Sequence, residues 1–179
     1  MAFRCPPIGR LAFPGFESRA GIREKHKFPN AGPHRSSFPI PKEKGDRVRN
    51  KPCLTAADAQ KIVAACKAEA EKNKWNVSIA VVDDAGYLLH LERLDGAQGQ
   101  SAAIATLKAQ TSAATRNFTK VLEDLVKERP ATAGFPGRLA VQGGVPIMHQ
   151  GECVGAIGVS GVKSHEDEQV AKAGLAALE

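Results

Sequence analysis

Proline is spread so unevenly along this chain of 179 residues that only its later part can build a regular fold. Eight of the eleven prolines fall within the first 52 residues. Each removes a backbone donor and fixes φ, and no apolar periodicity survives between them. Residues 1–52 therefore read as a disordered, basic, Pro-rich N-terminal extension, and 53–179 as the folded domain. A domain of that length buries roughly two-thirds of its unfolded surface, so it needs no disulfide or metal staple.

Charge divides at the same place. Residues 1–52 hold twelve Lys and Arg against four acids, a net of +8, while the remainder holds thirteen basic and fifteen acidic residues, a net of −2. The pI near 9.3 belongs to the extension, and the domain gives no reason to expect nucleic acid as a partner. No apolar run approaches the eighteen residues of a membrane span, so no membrane partner is expected. Cys5, Cys53, Cys66 and Cys153 form no CxxC pair, which favours free thiols and a cytoplasmic location. The extension lacks a secretory apolar stretch. Its first sixteen residues carry Arg and no acid, so an organellar presequence is the alternative; an upstream leader and a nucleic-acid arm are the remaining readings.

From Leu54 the pattern becomes regular. Thr55 to Asp58 reads as a capping box, followed by Ala59, Ile62, Val63, Cys66 and Ala70 at helical spacing. Val77–Val82 is a nearly continuous apolar run, as in a strand covered on both faces. A turn at Asp84-Ala85-Gly86 leads to a second strand, Tyr87–Leu94. Ser101 caps a helix to about Thr115, and Asn117 starts another through Val126. Three strands follow, Leu139–Val141, Val145–His149 and Cys153–Ser160, before Ser164 and Asp167 cap a last helix. The order α-β-β-α-α-β-β-β-α predicts an α+β domain with a five-stranded, mostly antiparallel sheet packed with helices.

Small side chains mark the candidate site. Ala102, Ala105, Ala109, Ser112 and Ala113 follow helical spacing, and Val154, Ala156, Gly158 and Ser160 share one strand face. Glycine within a strand marks close approach by a ligand or by another backbone, so Gly158 admits either a flat ligand or a tightly packed helix. Lys108 and Thr111 share a helical face, with Arg116 further round. At a pocket rim these groups would pair with a carboxylate or propionate; otherwise they are a solvated helix face. Gly143-Gly144 before Val145-Pro146 is a hairpin signal. Ser160-Gly161 precedes a helix, but Glu166 and Asp167 in its first turn would repel phosphate. There is no P-loop and no dinucleotide fingerprint, so no nucleotide cofactor is expected. His90 and His149 lie on strands, where either is an ordinary histidine or a ligand to iron. No zinc-binding spacing and no nucleophile elbow occur.

Five blocks in order carry a family resemblance. They are Asn76–Gly86 continued by Leu88–Ala97, Lys108–Ala114, Gly143–Ile147, Gly155–Gly161 and Asp167–Ala171. Together they resemble the GlcG/HbpS haem-binding family, which includes the C-terminal domain of PduO, and the resemblance covers 54–179. It implies a profilin-like α/β sandwich and homo-oligomers, dimers or octamers. It also implies haem as a cofactor, with haem degradation in some members. Haem ligation varies between members, by a threonine in one case, matched here to Thr111, and by a histidine in another. The candidate cofactor-binding set is thus Lys108, Thr111, Arg116, Gly143, Gly144 and Gly158; His149 and His90 are candidate iron ligands from this sequence alone, since many relatives lack histidine at those positions. The expected function is a small oligomeric tetrapyrrole-binding protein. The alternatives are a non-catalytic accessory or scaffold protein of a catabolic pathway of glycolate or diol type, and an enzyme acting on a small hydroxy or keto acid.

Overall fold

A computed structural model describes residues 50–178. The disorder expected of residues 1–52 lies outside these residues, apart from the last three positions. In chain order the elements are α1 (Ala56–Lys72), β1 (Ser78–Asp83), β2 (Leu88–Arg93), α2 (Ser101–Thr115), α3 (Thr119–Glu128), a 3-10 segment (Pro130–Gly134), β3 (Gly144–His149), β4 (Glu152–Ser160) and α4 (Ser164–Ala176). The strands form one antiparallel sheet in the order β2-β1-β4-β3.

The sheet is covered on both faces, and the two covers differ in side-chain size. On one face Ile79, Val81, Val145, Ile147, Ile157 and Val159 meet the buried stripe of α1 and the inner side of α4. On the other, Ala80, Val82 and Ala156 meet Ala105, Ala109 and Ala113 of α2. Period two along β1 and β4 sends large residues to one side and small ones to the other, so α2 lies close and α1 with α4 lie further off. β1 and β4 occupy the centre of the sheet, which accounts for their unbroken apolar character.

α1 begins at the predicted box. The amide of Asp58 donates to Thr55 Oγ1 at 3.2 Å, and the amide of Thr55 donates to the Asp58 carboxylate at 2.9 Å. The Thr55 hydroxyl also donates to that carboxylate at 2.7 Å, and this bond, with the one from the Thr55 amide, holds the Asp58 carboxyl below its ordinary range. At α4 the box shifts by one residue. Lys163 is the N-cap, its amide donates to Glu166 at 3.0 Å, and Asp167 turns inward instead of capping.

The sheet has four strands among the described residues, not five. Leu139–Val141 does not pair with a neighbouring strand because the donors in and beside it are taken elsewhere. Leu139 N donates to Thr111 Oγ1 and Gln142 N to Glu123 Oε2, both at 2.8 Å, and Val141 N turns back to Leu139 O. α3 also starts at Thr119 and not at Asn117, because Arg116 closes α2 in the left-handed region at φ 56° and Phe118 is extended. Edge strand β2 and the residue before it depart from ordinary burial: Tyr87, Leu88, Leu89 and Leu91 remain 39–74 % exposed.

Candidate functional site

Most of the residues singled out in the sequence converge at the seam between α2 and the sheet, and they fill it. A Cβ added to Gly158 would collide with Ala105 O and lie 2.5 Å from Ala109 N, so glycine lets the helix backbone touch the strand. Lys108 is not at a rim: its side chain is 2 % exposed, and its ammonium donates to Asp167 at 2.8 Å and to Val159 O at 3.0 Å. Burial pushes the Asp167 carboxyl up, and the Lys108 ammonium opposes that shift. Gly143, at φ +124°, passes over this pair, where a Cβ would sit 2.8 Å from Lys108 Nζ. Gly144 lies 2.5 Å by the same measure from Lys108 O, and its amide donates to Thr119 Oγ1 at 2.8 Å. Thr111 is fully buried and accepts from Leu139 N. Two small surfaces have therefore met each other, and the buried side chains of Lys108, Thr111 and Thr119 between them all have partners.

The other candidates lie elsewhere. Arg116 is exposed at the end of α2 and lines a polar cavity of about 260 Å³ with Lys51, Asp84, Gly151, Glu152 and Cys153. His90 is half-buried on edge strand β2, opposite Val81. His149 is exposed at the end of β3, and it borders a second cavity on the α1–α4 side of the sheet.

That cavity, about 400 Å³, is an open cleft where the end of the β3–β4 hairpin meets the start of α1 and the end of α4. Leu54, Ile147, Val154, Leu175 and Leu178 supply apolar walls; Cys53, Asp58, Met148 and His149 supply the polar and sulfur-bearing atoms. Leu54 is held against β4, where its Cδ1 lies 2.5 Å from the position a Cβ on Gly155 would take. Lys51 pairs with Asp84, so the segment before α1 is fixed on both sides of Cys53. Among the described residues no three His, Cys, Asp or Glu side chains form a cage for a metal ion.

Sequence reasoning found His149 but missed Cys53, Met148, Leu175 and Leu178, which reach the cleft from the segment before α1, from β3 and from the end of α4. It also read Asp167 as a cap, when its partner is Lys108, 59 residues earlier. Only the repeated small residues pointed at the seam, and they carry no information on whether the space is empty or filled.

Comparison with known proteins agrees with the fold. Residues 54–176 match the family described as "Haem degrading protein HbpS-like". Protein GlcG of Escherichia coli K12 is 43 % identical over 114 residues, covering 63 % of this chain and 85 % of GlcG. The crystal structure of HbpS superposes with a TM-score of 0.72 at 36 % identity, covering 76 % of this chain and 98 % of HbpS. A structure of PduOC in complex with haem shares the fold at a TM-score of 0.66 and 24 % identity, covering 70 % of this chain and 95 % of that one. With the family's match spanning the whole sheet and its helices, this chain belongs to the HbpS-like family.

Proposed function

We propose that this protein binds haem in the cleft between α1, α4 and the β3–β4 hairpin, with His149 as an iron ligand. The observation that carries this reading is that His149 borders an open cleft whose lining includes five aliphatic residues. A tetrapyrrole needs apolar contact over its ring and one or two donors at its metal. The cleft volume of about 400 Å³ is that of a small-molecule site, and the open side leaves the remainder of the ring in solvent. Lys108 and Thr111 are occupied in the seam and are not available to a propionate. The family description and the PduOC complex supply the prior for haem. Bound haem supplies a redox-active iron. The aliphatic residues of the cleft would cover the part of the ring that enters it, and His149 would hold the metal.

Haem degradation, the activity in the family description, is the reaction to assay. Titration of the full chain with ferric haem should give a saturable Soret change, weakened about tenfold or more in His149→Ala, where tenfold corresponds to 1.4 kcal/mol. No saturable change in the unaltered protein overturns the binding reading. Soret loss with reductant and oxygen no faster than for free haem overturns the degradation reading alone.

A second reading, an accessory protein acting through assembly, is favoured by β2. This edge strand leaves its outer backbone groups unpaired by the sheet and exposes Tyr87, Leu88, Leu89 and Leu91 together. The occupant proposed for this edge is a second copy of the chain, as expected of a homo-oligomer of this family. Leu91→Glu should lower the mass measured by light scattering; an unchanged mass overturns the assignment of this edge.

A further inference from the structure

α2 is an outer layer of the domain, yet it turns no charge to water. Across Ser101–Thr115 the one ionisable residue is Lys108, and it is buried. A surface helix ordinarily sets charged residues opposite its apolar stripe, and a helix that is apolar all round is covered on both sides. Exposed Ala103, Leu107 and Ala114 share a stripe with half-buried Gln110. Gln110 Nε2 donates to Gly86 O at 3.1 Å, which aims this stripe at the β1–β2 turn and the strand that follows it.

β2 continues the same surface. Leu91 lies opposite Ala80 and Leu88 opposite Val82, and Ala80 and Val82 are residues that meet α2. Cross-strand partners share a sheet face, so Leu88 and Leu91 stand exposed on the α2 side. His90 and Glu92 lie opposite Val81 and Ile79 and so belong to the other face, where Glu92 accepts from Lys67 at 2.8 Å. Alternation thus clears charge from the middle of the α2 side of this edge. Charge returns at the two ends of the strand. Arg93, opposite Ser78, has no ion-pair partner among the described residues, and the Asp83-Asp84 turn lies at the other end.

This order of groups is complementary to itself. Two antiparallel copies of β2 about a two-fold axis put the end of each strand beside the start of the other. Arg93 of each copy then comes to the acidic turn of the other, the leucines adjoin across the axis, and the two α2 stripes flank one apolar floor. An uncharged middle offers nothing to nucleic acid or to an acidic peptide, whereas opposite charges at its ends suit a partner with the same order reversed. We infer that a second copy seats on the α2 side of the sheet as well as on the β2 edge, with Leu107 in the interface and Arg93 fixing the antiparallel register. This inference rests on the pairing of β2 with a second copy proposed above.

The test is the mass of the full chain by light scattering along a dilution series, with thermal unfolding of each variant to check that the domain is intact. Leu107→Glu should raise the dissociation constant about tenfold or more. Its side chain is 38 % exposed, so the new charge reaches water in the separate subunit. Arg93→Gln should weaken association and flatten its salt dependence, because the contact it removes is screened by ions. Val121→Glu, an equally polar change at an exposed residue of α3, should leave the mass unchanged. Assembly of Leu107→Glu like the unaltered chain, where Leu91→Glu dissociates, overturns the inference and leaves the β2 edge assigned. Equal dissociation of Val121→Glu overturns it in favour of another face. An unchanged salt dependence in Arg93→Gln overturns the antiparallel register. A monomeric unaltered chain, or full assembly of Leu91→Glu, overturns the edge and the inference together.

Discussion

The seam under α2 and the cleft beside α4 both gather polar residues against apolar ones, yet they are built on opposite principles. In the seam, glycine and alanine bring backbones together until no space remains, and the buried charge of Lys108 is matched by Asp167. In the cleft, aliphatic walls stand apart and the groups at the rim face solvent. Polar residues that are fully satisfied hold a fold together; polar residues left at the edge of an apolar opening are available to a ligand. The difference also explains why the more conspicuous motif residues are architectural.

The sharpest break in this comparison would come from Lys108. Lys108→Ala leaves the Asp167 carboxylate buried without its cation, and removing one partner of a buried pair costs about 3–5 kcal/mol. The melting temperature should fall by roughly 10–20 °C. A fall of less than a few degrees would mean that water reaches the pair and that the seam is open after all. Gly158→Leu comes next, with overpacking worth about 1–3 kcal/mol or more, visible in the same thermal scan. A soluble, equally stable Leu variant would show room between α2 and β4. Thr111→Val removes the acceptor for Leu139 N and should cost about 1–2 kcal/mol in urea unfolding. If the variant instead lost haem affinity at full stability, the threonine would belong to the binding site.

The cleft should respond in the reverse sense. His149→Ala is expected to change stability by no more than about 0.5 kcal/mol while weakening haem binding, because the side chain is exposed and packs little. A large loss of stability would place His149 with the architectural residues. Thiol reactivity draws the same line: at pH 8 Cys53 should be alkylated in the folded protein, whereas Cys66, pushed up to about 12, should react only after unfolding. Mass spectrometry of the labelled peptides separates these outcomes.

Much of the architecture was legible because local chemistry and periodicity agree in this chain. The Thr55–Asp58 box and the stripe from Ala59 to Ala70 define α1 without reference to anything distant. β1 and β4 announce central positions by being apolar on both faces. The failed fifth strand shows where such reading stops. Leu139–Val141 has strand-like composition, but the acceptors that take Leu139 N and Gln142 N are side chains on α2 and α3. A backbone donor goes to whichever acceptor the tertiary fold brings near, and composition does not record that choice.

The same limit governs the site. Local sequence by itself determined the α1 cap, the turns, the alternation that sorts large from small side chains, and the family to which those blocks are similar. These depend on neighbours within a few residues, so a short window contains their cause. Tertiary structure alone decided that Lys108 meets Asp167, that Gly158 admits a helix backbone, and that Cys53 and His149 border one cleft. Such pairings span from about fifty to about a hundred residues of chain, and they follow from how the elements pack once their apolar faces are buried. Whether an apolar surface ends as a filled seam or an open cleft depends on what lands on it, and that is a property of the assembled layers.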